Sequence, residues 1–244
     1  MKSFKQLLSL LTIFLFISNA QAQWGSDKIK GNGKMTTITR TTSDYDAISC
    51  AGSMDYILVS GEEGKIRIEG EENLLKHIIT KVKDGKLIVK VEQGVYLKTS
   101  LNKGIKITIP FKDINEVSLA GSGDLWNKDT IRSSQLDVAL AGSGDVVLDI
   151  NTTSVEGSLA GSGDLTLKGK TTNLEANVAG SGDFDAFDLE SDNTEVSVAG
   201  SGDAKVVSNE MIKARVSGSG DIEFKGNPSK EDTKVHGSGS ISSK

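Results

Sequence analysis

The sequence predicts an all-β fold: a right-handed parallel β-helix, or solenoid, with coils about 19 residues long and a short N-terminal capping helix. Three observations carry that prediction. The phrase Gly-Ser-Gly-Asp starts at Gly121, Gly142, Gly161, Gly180, Gly200 and Gly218, and a variant ending in Ser240 starts at Gly237. The steps between these glycines are 21, 19, 19, 20, 18 and 19 residues, the mark of coils that bury their apolar faces on one another. Around each phrase, apolar and polar residues alternate. Leu174, Ala176, Val178, Phe184 and Ala186 share the parity of Gly180 and Gly182, while Glu175, Asn177, Ser181, Asp183 and Asp185 take the other. A period of two belongs to a strand and excludes a helix. Composition agrees, because 27 Gly, 2 Pro and 5% aromatic residues suit a solenoid better than an ordinary globular domain.

In chain order, residues 1–22 read as a signal peptide. Lys2 and Lys5 precede an apolar run over 7–17, and Ala20-Gln21-Ala22 supplies the small-x-small cleavage pattern. That run is too short to span a bilayer and no later stretch is long enough, so the mature chain is expected to have no transmembrane segment. An exported protein follows, periplasmic or secreted to the cell surface. Removing Lys2 and Lys5 from 28 basic side chains leaves 26 against 33 acidic ones, a net charge of −7. Such a chain is unsuited to nucleic acid or to an anionic lipid surface.

Residues 23–38 are expected to form a flexible N-terminal segment, 39–116 an irregular β region with the capping helix, and 117–244 the regular solenoid. Residues 48–56 align with 117–125, which puts Cys50 where Leu119 falls, facing inward as a small hydrophobe. As the sole cysteine it can form no intramolecular disulfide. Residues 65–69, 86–91 and 105–109 alternate as strands. Between them, 72–82 carries Leu74, Leu75, Ile78, Ile79 and Val82 at helical spacing, predicting an amphipathic helix over the open end of the core. The polar segments 168–173, 189–194 and 227–233 are expected to close the coils as turns.

The paired glycines are read as structural. Gly142, Gly144, Gly161, Gly163, Gly180, Gly182, Gly200 and Gly202 mark a corner whose inside has no room for a Cβ. On the outside, Ser143, Asp145, Ser162, Asp164, Ser181, Asp183, Ser201 and Asp203 form an outer ladder, the candidate ligand-binding surface. Carboxylates stacked about 4.8 Å apart repel by roughly 0.9 kcal/mol per pair in water, so something must compensate them. One reading is that each Asp, like each Ser, bonds a nearby backbone N–H left open at the corner, as Asx and Ser turns do. Another is that Ca²⁺ bridges Asp164, Asp183 and Asp203. Catalysis would need two carboxylates in unlike surroundings, which a translationally repeated row does not offer. No catalytic residue is assigned and no cofactor is expected apart from that Ca²⁺. His77 and His236 are too far apart in pattern to suggest zinc.

The recurrent [VL]-x-[VL]-A-G-S-G-D phrase, with Tyr45-Asp46-Ala47-Ile48 and Glu71-Glu72-Asn73-Leu74 upstream, resembles the head GIN domain, a Bacteroidetes family labelled autotransporter adhesin. The resemblance runs from about Thr39 to the end of the sequence. It implies an exported β-helical protein of unknown function. No membrane barrel follows the solenoid in this sequence, so self-delivery to the outer surface is not expected. The leading expectation is a non-catalytic adhesion or ligand-binding module of the cell envelope, its partners glycans or another envelope protein. A β-helix carbohydrate-active enzyme and a purely structural envelope protein are the alternatives.

Overall fold

The structure, a computed structural model, describes residues 27–100 and 103–244. The signal-peptide reading lies outside these residues. The parallel solenoid is present, with about seven turns at the spacing the phrases set. Its N-terminal end, however, is not built in chain order.

That end contains β1 (Asp27–Lys30), β2 (Met35–Thr41), β3 (Ala47–Gly52), β4 (Asp55–Ser60), β5 (Lys65–Glu71), the single-turn α1 (Glu72–Leu75), β6 (Ile78–Lys83), β7 (Lys86–Val91), β8 (Val95–Lys98) and β9 (Lys106–Phe111). The β3–β4 coil is overlaid by the next coil, β10 (Glu116–Gly121) and β11 (Leu125–Asn127), in parallel register. Beneath it, also parallel, lie β7 under β3 and β9 under β4. The residues between Gly52 and Gly121 therefore turn back and insert a coil below the first. Below that, β5 runs antiparallel to β9 and β6 antiparallel to β7, so one reversed layer closes the core.

The predicted helix over 72–82 is corrected by this layer. Only Glu72–Leu75 is helical, and Ile78–Lys83 is a strand. Two local features decide it. Ile78, Ile79, Thr80 and Val82 are β-branched, which favours a strand. Asp84 and Gly85, at φ 53 and 73, make the two-residue turn that joins antiparallel neighbours. Leu74, Leu75 and Ile78 are buried, so the cap covers the core as expected but as sheet. The expected flexible segment also differs from the structure. Its residues 27–30 pair with β8, and β2 pairs along its whole length with β5, with Ile29 and Ile38 packed against the core.

The regular part comprises β12 (Ile131–Gly142), β13 (Val146–Gly161), β14 (Leu165–Gly180), β15 (Phe184–Gly200), β16 (Ala204–Val207), β17 (Met211–Gly218), β18 (Ile222–Lys225), β19 (Lys230–Gly237) and β20 (Ile241–Ser243). Register places like residues above one another: Leu140 pairs with Leu159, Leu159 with Val178, and Val178 with Val198. Cys50 takes its expected place, paired with Leu119 and 1% exposed. One column adjusts its volume. Gly157 and Ala176 occupy the position of Val138 and Val196, and a Cβ on Gly157 would meet the Phe184 ring at 2.5 Å. Close packing leaves no other room for that ring.

Two of the expected closing turns, 168–173 and 189–194, are strand, whereas 227–229 are a loop before β19. Pairing continues through Lys168–Asp188, Lys170–Glu190 and Asn173–Asn193, giving the coil a further hydrogen-bonded side. Its inner positions are polar but satisfied. The buried Thr152 hydroxyl donates to that of Thr171 at 3.0 Å, and Thr171 donates on to the Asn173 carbonyl at 3.0 Å.

Candidate functional site

The corner explains both the glycines and the aspartates. The first glycine of each phrase has positive φ, +138° at Gly142 and +132° at Gly180. Its carbonyl accepts two N–H groups from the next coil: Ser181 and Gly182 both donate to Gly161, at 2.8 and 3.1 Å. A Cβ on either glycine of a phrase would lie closer than 3 Å to the carbonyl of its counterpart one coil below. The sequence reading placed this clash inside the corner. The structure places it along the stacking axis, between backbones, where no side chain can yield.

Once the chain has turned, the Asp N–H needs an acceptor, and the previous coil's aspartate supplies it. Asp145 donates its N–H to Asp124 Oδ1 at 3.2 Å, Asp164 to Asp145 at 3.2 Å, Asp183 to Asp164 at 3.1 Å, and Asp203 to Asp183 at 2.9 Å. The row ends where Ser240 donates both N–H and Oγ to Asp221 Oδ1. The expected bond to a backbone N–H exists, but it joins successive coils rather than closing its own turn. Each N–H dipole offsets part of the repulsion between neighbouring carboxylates. Asp124 and Asp221, the first and last aspartates of the repeated phrase, belong to the same row. Asp55 stands at its foot, in register below Asp124, with its carboxyl raised above the usual range by desolvation and then by the Asp124 charge. Ser143, Ser162, Ser181 and Ser201 are exposed beside the row. Among the described residues, no three acidic, His or Cys side chains converge to hold a metal ion.

Cys50 lies inside the core and away from this surface, and burial pushes its thiol pKa upward, out of the range of a nucleophile. His77 pairs with Glu92 at 2.9 Å, far in the chain from His236. A second acidic column, Glu116–Asp137–Glu156–Glu175–Glu195, stands outward of the core strands. Asp137 and Glu156 are both raised, first by desolvation and then by the neighbouring carboxylates.

The outer face carries an apolar interruption at Trp126 and Val147. Trp126 stacks in register between Ile57 and Val147, and Val147 is 39% exposed. Trp126 and Val147, together with Asp124, Asp145, Asp149 and Lys168, line a shallow, open trough of about 550 Å³. Asn127 fixes its edge: Oδ1 accepts the Asp149 N–H at 2.9 Å, and Nδ2 donates to the Asp149 carbonyl at 2.7 Å. The outward parity of Trp126 was legible in the sequence. That Val147 and Asp149 come to lie beside it depends on register with the following coil.

The family model described as "Putative auto-transporter adhesin, head GIN domain" matches residues 44–228. The chain belongs to this family. Among curated proteins none matches it. Its fold is similar to that of a "putative adhesin" from Bacteroides fragilis, with TM-score 0.81 and 26% identity over 88% of this chain and 100% of that one. It is similar also to a "Putative lipid binding protein" from Parabacteroides distasonis, with TM-score 0.74 and 27% identity over 89% of this chain and 100% of that one. A "putative adhesin" from Parabacteroides merdae shares the fold at 23% identity and TM-score 0.70, over 89% and 99% of the two chains.

Within this head GIN domain the aspartate row repeats the same backbone contact from Asp124 to Ser240. No helix among the described residues is long and apolar enough to cross a membrane.

Proposed function

We propose that this head GIN protein is an exported, non-catalytic adhesion module of the cell envelope that holds a repetitive polar partner, a glycan, on its outer face. The observation that carries the reading is the bonded aspartate row. Each Oδ1 is held by an N–H of the next coil, while the second oxygen makes no hydrogen bond among the described residues. The row therefore presents acceptors at fixed intervals, already oriented, and loses little side-chain entropy when sugar hydroxyls donate to it. A repeated surface of this kind suits a repeated ligand. The adhesin names of the family and of the Bacteroides fragilis neighbour support the same class of role.

A carbohydrate-active enzyme would need one carboxylate pair unlike the rest. Glu116 and Asp137 come nearest, yet they form one step of a column that continues through Glu156 and Glu175. The test is a glycan array probed with the purified protein, followed by product analysis of every glycan bound. Retention without cleavage is the expected result. Release of shorter products, or no binding to any glycan, would overturn the proposal.

A further inference from the structure

We infer that the Trp126–Val147 trough is a subsite for an uncharged pyranose ring of a polysaccharide. The inference rests on the glycan-binding reading above and names where on the outer face the sugar sits and which sugars it excludes. Its first support is the aromatic surface. Trp126 is half-buried and lies on the outward parity, next to the exposed Val147. Among the described residues, the aromatic rings with a cation over them are Tyr96 and Phe187, the latter beneath Lys225 at 4.0 Å and Lys244 at 5.4 Å. No cation lies over the Trp126 ring among the described residues, and Trp126 lines the trough beside the exposed Val147.

The second support is the arrangement of polar groups. Asp124 and Asp145 belong to the bonded row, which fixes their carboxylates on one side of the ring. On the other side, Asn127 clamps the Asp149 backbone at both N–H and C=O. A pyranose ring has an apolar C–H face and a rim of hydroxyl donors. Laid on Trp126 and Val147, it would direct those hydroxyls to carboxylates that are already held, the combination of apolar floor and few placed polar groups that a small-ligand site requires.

Charge sets the specificity. Three carboxylates against one Lys168 make the trough acidic, and Lys168 is shared with Asp188 at 4.0 Å. A uronate or sulfated sugar would meet like charge, and repulsion of this kind discriminates more strongly than it binds. The same carboxylates argue against an acyl chain. The trough is open and shallow, and an alkyl chain gains little where it cannot be enclosed.

The test uses intrinsic fluorescence. Trp24 and Trp126 are the two tryptophans of the sequence, so a Trp24→Phe background leaves Trp126 as the reporter. Hexamers of β-linked glucose or N-acetylglucosamine are expected to shift its emission. Trp126→Ala, read by calorimetry at a temperature where circular dichroism shows the variant folded, is expected to weaken hexamer binding by about tenfold or more, as loss of an aromatic anchor does. Trp126→Phe should restore part of the affinity. A uronate hexamer should bind at least about tenfold more weakly than the neutral ones, with Asp149→Asn narrowing that gap. Wild-type affinity in Trp126→Ala would overturn the inference but leave the glycan-binding proposal standing, with the sugar elsewhere on the row. Failure of the wild type to bind any hexamer on the array or in solution would overturn both. Trp126-dependent binding to phosphatidylcholine vesicles in place of sugars would assign the trough to lipid and overturn the inference.

Discussion

The main-chain N–H of Asp183 donates to Oδ1 of Asp164, one coil below, at 3.1 Å. This bond makes the repeated carboxylate part of the stacking between coils, and its geometry permits a sharp comparison. Asp183→Asn keeps an acceptor oxygen for the Asp203 N–H and should change stability little, as measured by urea denaturation. Asp183→Ala removes the acceptor and should cost about 1 kcal/mol, the net value of a hydrogen bond whose donor can still reach water. Equal losses in both variants would assign the row's value to charge rather than to hydrogen bonding.

The glycine pair makes the strongest demand on sequence. A Cβ at Gly182 would meet the carbonyl of Gly163, and one at Gly180 would meet that of Gly161 while also requiring a φ of +132°. Because backbone lies on both sides, neither site can relax without opening a coil. Gly182→Ala is expected to cost about 3 kcal/mol or more, with Gly180→Ala at least as damaging because strain adds to the clash. Denaturation midpoints close to wild type would refute the axial contact.

These two relationships show what the sequence could and could not reveal. The period, the strand parity and the inward place of Cys50 opposite Leu119 were legible because each coil repeats the same local pattern. The partner of each aspartate was not, since a single coil read alone offers its own corner as the nearest donor. At the N-terminal end, apolar residues over 72–82 fit a helical spacing, but the Asp84-Gly85 turn and the β-branched residues before it support a hairpin. The stacking of β7 and β9 beneath β3 and β4 left no local trace at all, because it is set by which edge remained open. The trough belongs with these cases: Trp126 was visible, but its neighbours Val147 and Asp149 are supplied by the next coil.

Glu71 holds the reversed cap in place. Its carboxylate is 1% exposed and accepts from the Gly33 N–H at 2.5 Å and from both the N–H and the hydroxyl of Ser100 at 2.6 Å. It thereby ties the β1–β2 turn to the end of β8. Glu71→Ala would remove the acceptor of three hydrogen bonds whose donors, on the exposed Gly33 and Ser100, can turn to water, at a cost of about 1–2 kcal/mol. Hydrogen exchange should then accelerate over 27–33 and 95–100, while the coils around Gly161 to Gly200 keep wild-type protection. Uniform acceleration across the solenoid would show that the cap and coils unfold as one unit instead.

Glu156 provides a test with a definite dependence on pH. It stands between Asp137 and Glu175 in the outward column, and its carboxyl is raised by desolvation first, then by the Glu175 and Asp137 charges. A raised carboxyl favours the protonated form in the folded chain. Its contribution to stability is therefore present at pH below the ordinary carboxylate range and is lost as pH rises through the elevated folded value. At neutral pH the group is ionised and opposes folding, weakly, because it remains partly exposed and solvent screens it. Glu156→Gln removes that opposition and is expected to raise the melting temperature by about 1–2 °C at pH 7. The gain should shrink as pH falls toward 4, where the wild-type carboxyl takes up its proton. Added salt at pH 7 should likewise reduce the difference by screening the column. A variant advantage that persists unchanged at low pH would place the effect in packing of the amide rather than in the carboxylate column.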